Sequence, residues 1–165
     1  MIQILPALKP SDFKAPLARF WELSGQKLRL IDEHYDTAQG SPVFTRAGKY
    51  TTRGWTEWTQ GFLYGCQILC FEATGDRKFL EMGRENTRLY MAPHVSHIGV
   101  HDHGFNNVST YGNLRRLMNE ARIEENEDER DFYEMALKVS GAVQAARWSK
   151  TDDGTGFIHS FNGPQ

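Results

Sequence analysis

Phe62-Leu63-Tyr64-Gly65-Cys66-Gln67-Ile68-Leu69-Cys70-Phe71-Glu72-Ala73-Thr74-Gly75-Asp76-Arg77-Lys78-Phe79-Leu80 is the stretch whose reading decides the fold. Phe62, Leu63, Ile68, Leu69, Cys70 and Phe71 point in most directions around a helix. A helix apolar nearly all round is buried on most sides. Gly75 supplies its C-terminal stop, and Asp76 caps a new helix that begins at once. That helix carries Phe79, Leu80, Met82 and Tyr90 and ends before Pro93, because the residue ahead of a proline is pushed out of the helical region. Two helices joined by Thr74-Gly75-Asp76 fold back on each other as an antiparallel hairpin.

The same pattern extends in both directions. Upstream, the helix of the hairpin is predicted to start near Thr56, and an earlier helix runs from about Ser11 to Tyr35 with Leu17, Phe20, Trp21, Leu23, Leu28 and Ile31 at helical spacing. Between them, Thr37 to Gly54 reads as a Gly/Ser/Pro-rich loop with one short extended piece at Val43-Phe44. A loop of that length in a compact domain is often functional. Downstream, a fourth helix is predicted from Gly104 to about Ala121, with Val108, Tyr111, Leu114, Leu117 and Met118 as its apolar stripe. The acidic run Glu124 to Asp131 favours the positive end of a fifth helix. Phe132, Met135, Ala136, Val139, Val143 and Ala146 share a face of that helix. Asp152-Asp153-Gly154 makes a turn, and Gly156 to Phe161 reads as extended. The class is all-α, built from helical hairpins in a single domain over residues 1–165. Such hairpins stack into a solenoid or close into a toroid, and spacing alone does not choose between these.

Bulk composition removes several functions. Hydrophobic residues are 39% and charged residues 24% of the 165, as in ordinary globular domains. A net charge of -2 provides no basic field for nucleic acid. No apolar run approaches the ~20 residues that span a bilayer, so no membrane partner is expected. Met1-Ile2-Gln3-Ile4-Leu5-Pro6 lacks the charged and apolar regions of a signal peptide. The expected location is therefore cytoplasmic, or periplasmic or secreted if a leader has been removed. Cys66 and Cys70 fit neither a zinc spacing nor a redox pair and are expected to sit in the core.

The chemistry concentrates at Val100-His101-Asp102-His103-Gly104-Phe105. One carboxylate stands between two imidazoles at a helix entrance, a suitable place for proton transfer. The plain alternative for Asp102 is a helix N-cap. His103, if protonated and close, would lower the pKa of Asp102 and suit it to act as a base.

Four segments in order resemble one family. Trp58-Thr59-Gln60-Gly61-Phe62, continuing through Gly65 to Glu72, resembles the Trp-x-x-Gly-Phe helix of the unsaturated glucuronyl hydrolases and the related rhamnogalacturonyl enzymes. Thr74 to Leu80 is similar to their hairpin link, His101 to Phe105 to their His-Asp-x-Gly-Phe motif, and Gly154 to Phe161 to their Gly-Gly-Phe strand. The likeness covers roughly two thirds of the chain, from Trp55 to Gly163. It implies an (α/α)6 toroid, the six-hairpin glycosidase fold. It also implies a substrate, an oligosaccharide with a C4=C5-unsaturated uronic acid at its non-reducing end, left by a polysaccharide lyase. In that reaction an acid protonates C4 of the enol ether, and water activated by a carboxylate adds at C5. The hemiketal then collapses and releases the neighbouring sugar, with no cofactor. On this resemblance Asp102 is one of two active-site aspartates. His101 orients it or contacts the uronate, Trp58 forms a pocket wall and His159 lines the pocket. Gln60 and Tyr64 are candidates for hydroxyl contacts.

The resemblance puts the second aspartate on a helix after the Gly-Phe-x-His strand, beyond Gln165. The chain is thus expected to be the first half of a toroid, without that aspartate. The far faces of its second and fourth helices would be uncovered and prone to self-association. Two other functions follow from the residues. One is a non-catalytic carbohydrate-binding or truncated module. The other is a divalent metal site at His94, His97, His101, Asp102 and His103, whose ligand types suit zinc although their spacing matches no helical metal motif.

Overall fold

The computed structural model describes residues 8–52 and 58–160. The readings placed on Trp55, Thr56, Phe161 and the two termini lie outside those residues. The described chain is mostly helical. Helix α1 is Lys14–His34, preceded by a 3-10 turn at Pro10–Phe13. Strands β1 (Pro42–Arg46) and β2 (Lys49–Thr52) form an antiparallel hairpin. Helices α2 (Gln60–Thr74), α3 (Arg77–Tyr90) and α4 (Ala92–Val95) follow. A π-helical segment, Gly104–Gly112, continues into α5 (Asn113–Asn119). Helix α6 (Glu127–Ala145) and a second small hairpin, β3 (Trp148–Lys150) and β4 (Gly156–Ile158), complete it.

Helix α2 is the centre. It packs on α3, on the π-helical segment and on α1, while α6 lies against the π-helical segment, α4 and α5. Tyr64, Ile68, Leu80, Met91, Tyr111, Leu114 and Leu117 are wholly buried between these elements. Each such side chain is worth roughly 1.5–3 kcal/mol relative to exposure. The hairpin link behaves as its chemistry requires. Gly75 takes φ 75 and its N–H closes on Phe71 O at 2.8 Å, while Asp76 accepts from Lys78 N at 3.0 Å. Asp76 also pairs with Arg29 at 2.6 Å, which ties α1 to the turn. At the end of α2, Glu72 bridges Arg116 at 2.5 Å and Arg122 at 2.6 Å; the Arg116 hydrogen bond first holds its carboxyl below the usual range.

Two glycines let a pair of helical backbones approach closely. A Cβ on Gly61 would lie 2.3 Å from Asn106 Cα, and one on Gly65 would lie 2.8 Å from Ser109 O. The π-helical backbone therefore rests directly on α2. One turn apart on the same face, these small residues do what small-x-x-x-small pairs do wherever helices touch backbone to backbone.

Four expectations need correction. The loop at 37–54 contains a two-residue hairpin whose turn, Ala47 (φ 51) and Gly48 (φ 75), puts both central residues in the left-handed region. Alanine is unusual at the first of these, so the turn signal was half hidden. The fourth helix is not α-helical at its start. Asn113 N–H reaches back to Val108 O, five residues away, and the wider turn rolls Val108 out to 58% exposure. Helix α6 buries Tyr133, Ala136 and Ser140, leaving Met135 58% and Val139 39% exposed. Ser140 is turned inward because its hydroxyl completes a buried polar network. Finally, Cys70 is buried but Cys66 is exposed, on a stripe of α2 with Phe62 and Leu69.

The close contact gives a direct test. Gly61→Ala is expected to lower unfolding free energy by about 3 kcal/mol, since neither backbone can give way. Gly141→Ala on α6, whose Cβ would meet nothing within 4 Å, is expected to be neutral or to stabilise by ~0.5–1 kcal/mol. Parallel urea titrations of the two variants check both.

Candidate functional site

The site grows from the α2–π contact. Gly61 N–H donates to Asn106 Oδ1 at 2.9 Å, which leaves the Asn106 amide to donate to His94 Nδ1 at 3.0 Å. His94 must then carry its hydrogen on Nε2, and it donates to Gln60 Oε1 at 2.7 Å. Gln60 in turn donates from Nε2 to Tyr64 OH at 3.3 Å. Each link fixes the direction of the next. A second chain runs beside it. Asn107 Nδ2 donates to His94 O at 3.1 Å and to Ser140 Oγ at 3.0 Å. His103 Nε2 lies against the carbonyl of His97, so that nitrogen is the donor and Nδ1 accepts from Ser140 Oγ at 2.9 Å. The two networks join α2, α4, the π-helical segment and α6 at one end of the bundle.

This network places the sequence candidates in two groups. Gln60 and Tyr64 are 3% and 0% exposed, with their polar atoms engaged inside the protein; they support the site from beneath and do not open onto its surface. Burial also raises the pKa of the Tyr64 hydroxyl. His103 likewise faces inward. Burial pushes its imidazole below the ordinary value of 6.5, so the protonated neighbour expected for Asp102 is not what the structure contains. Asp102, His101 and Trp58 lie toward the surface. Asp102 gives its main-chain carbonyl to Asn106 N–H at 3.3 Å, starting the helix, while its carboxylate sits 3.5 Å from His101 Nε2. The carboxylate is 12% exposed and the imidazole 44%. The side-chain cap expected as the plain alternative is absent from the π-helical start, whose N-cap position is His103.

Trp58 is 46% exposed and stands edge-on to Phe62, with centroids 5.6 Å apart. Phe105, three residues after Asp102, completes the group at 5.8 Å from Trp58 and 5.2 Å from Phe62. Three partly exposed rings, tilted or edge-on to one another, thus cluster around Phe105, three residues after Asp102. His159 is held differently. Its Nε2 is 2.7 Å from Ser149 Oγ across the β3–β4 hairpin, and its ring packs on Phe157 at 4.8 Å. The hairpin reaches the site through the next residue: Ser160 O and Oγ both lie 2.8 Å from His101 Nδ1. His101, Gln144, Ile158 and Ser160 line an open hollow of about 500 Å³ there.

Among the described residues no group of three or more His, Cys, Asp or Glu side chains is arranged to hold a metal ion. Of the proposed cluster, the imidazoles of His94, His101 and His103 are engaged with Gln60, Asn106, Ser160 and Ser140. Nor is any helix of the described residues long and apolar enough to cross a membrane. Ser140, Asn106, Asn107, Arg147 and Ser160 were not legible as site residues. One signal was available: two consecutive asparagines inside a helix disfavour it unless their amides are used. Comparison with known proteins returns no matching family model, no matching curated protein and no matching solved structure.

His103 gives the network a pH dependence. Its folded pKa lies below the unfolded value, so the unfolded chain takes up the proton first as pH falls. This contribution to stability is complete above about pH 6.5 and is lost as pH falls below that toward the folded pKa. The melting temperature is expected to drop between pH 7 and pH 5, and His103→Gln to flatten that component of the slope. Calorimetry across the interval checks it.

Proposed function

We propose that this chain belongs to a hydrolase that hydrates C4=C5-unsaturated uronyl oligosaccharides, contributing Asp102 as one of two reactive carboxylates. The observation that carries the reading is the Asp102–His101 pair three residues ahead of Phe105, whose exposed ring packs with those of Trp58 and Phe62. An apolar sugar face packs well on such rings, and a carboxylate beside an imidazole suits proton transfer to or from water. The hollow beside His101 and Ser160 has room for a ring substituent. On this proposal His101 orients Asp102, and Trp58 forms the wall of the sugar subsite. His159 supports the hollow through its strand, while Gln60 and Tyr64 brace the floor. The hairpins form part of an (α/α)6 toroid, and the second carboxylate comes from outside residues 1–165. The chemistry uses carboxylates and water and asks for no cofactor.

A second reading, a carbohydrate-binding module without turnover, is favoured by the same aromatic surface taken without a second carboxylate. The two separate cleanly by ultraviolet absorbance of an unsaturated uronyl disaccharide, whose conjugated double bond disappears on hydration. The protein carrying both carboxylates is expected to abolish the absorbance. Asp102→Asn is expected to slow that loss by ~10²-fold or more. Binding without any loss of absorbance would select the module, and full turnover by Asp102→Asn would remove Asp102 from the mechanism.

The reading also accounts for apolar faces left open on α1 and α2, where Leu17, Phe20 and Leu69 are 52%, 55% and 39% exposed. Within this proposal the 165-residue chain alone associates with itself through them. Sedimentation velocity is expected to show species larger than the monomer at micromolar concentration, and a single monomeric boundary would contradict it.

A further inference from the structure

Arg147 is a cation in an unusual place. Its side chain belongs to a residue only 4% exposed, and its hydrogen bonds among the described residues all go to backbone carbonyls. Nε and Nη2 donate to His159 O at 3.1 and 2.7 Å, Nη2 donates to Ser160 O at 3.0 Å, and Nη1 donates to Ile98 O. Burying a guanidinium costs several kcal/mol unless its donors are well used. Here they are used to gather two segments, the loop leading into His101 and the strand end after Ile158. The main chain of Arg147 reinforces the grip, since its carbonyl accepts from His159 N–H at 3.2 Å.

The carbonyl of Ser160 is where that grip meets the site. It accepts from Arg147 Nη2, from the His101 backbone N–H at 3.0 Å and from His101 Nδ1 at 2.8 Å. A carbonyl oxygen can only accept, so this contact is made only with the imidazole hydrogen on Nδ1, whereas the Ser160 hydroxyl, also 2.8 Å from Nδ1, serves either tautomer. In that tautomer Nε2, turned toward Asp102 Oδ1 at 3.5 Å, is an acceptor, so a hydrogen bond joins the two only when a proton is held on the carboxyl or on a doubly protonated ring. Which ring nitrogen is protonated is set by the bond the other one makes. We infer that Arg147 is a positioning residue for the His101–Asp102 pair, holding the Ser160 carbonyl so that His101 keeps its hydrogen on Nδ1 and presents Nε2 to Asp102. This rests on the reading of that pair as the reactive centre, but the structural half of it can be tested without turnover.

The experiment is a long-range proton–nitrogen correlation spectrum of the 165-residue chain, recorded well above the imidazole titration range. His101 is expected to show protonated Nδ1 and bare Nε2. In Arg147→Lys, confirmed as folded by its melting transition, the population is expected to shift toward protonated Nε2, because an ammonium cannot hold three carbonyls in a planar fork. Ser160→Ala, which deletes the hydroxyl and leaves the carbonyl, is expected to retain the original form. In the protein carrying both carboxylates, Arg147→Lys is expected to lower kcat about 10-fold with KM nearly unchanged, the mark of a misplaced group rather than a lost contact. Wild-type His101 protonated on Nε2 would overturn the inference with no variant needed, and so would a folded Arg147→Lys with the wild-type spectrum. If the spectra behave as expected and the wild type never consumes an unsaturated disaccharide, the positioning inference stands and the hydrolase reading falls.

Discussion

Everything at the functional end of this protein depends on two backbones touching. Gly61 and Gly65 let α2 and the π-helical segment approach to a separation that no side chain would permit. Once there, the Gly61 amide finds Asn106, and that single bond decides which way the Asn106 amide faces. The tautomer of His94 and the orientation of Gln60 then follow without further choice. The segment's unusual winding belongs to the same constraint. Thr110 Oγ1 bonds Asn106 O at 2.7 Å and Asn113 Nδ2 bonds Ser109 O at 2.9 Å, so side chains use the carbonyls that wide turns leave poorly paired. Runs of π-helix are rare and mark functional positions more often than chance. This one begins two residues after Asp102.

The arrangement separates support from surface. Below, neutral groups in fixed directions form a floor: two imidazoles, three amides, one serine hydroxyl and one phenol. Such a network is rigid when satisfied and costly when broken. Above it stand the Asp102 carboxylate, the His101 imidazole and three aromatic rings, partly open to solvent.

Much of this could be read from the residues, and the reasons for the remainder are local. Gly75 and Asp76 announced the hairpin because a left-handed stop and an aspartate cap have few other uses in adjacent positions. The helices of α2, α3 and α6 followed from apolar spacing and end signals. The β1–β2 hairpin escaped because Ala47 stands where asparagine or glycine would have marked the turn. The buried face of α6 was misjudged because a serine hydroxyl, not an aliphatic side chain, sets its rotation. Asp102, His101 and Trp58 were singled out by motif order and belong to the proposal. Arg147 and Ser160 were not, because their work is done through backbone carbonyls, which leave no trace in side-chain pattern.

The most direct measurement is hydrogen exchange at the Gly61 amide. It sits at the first turn of α2, where helix N–H groups ordinarily lack a partner and exchange quickly. If the contact with Asn106 organises this end of the molecule, that amide exchanges as slowly as the core of α2 and speeds up sharply in Asn106→Ala. Exchange at the rate of a frayed helix end in the wild type would contradict the account at its root.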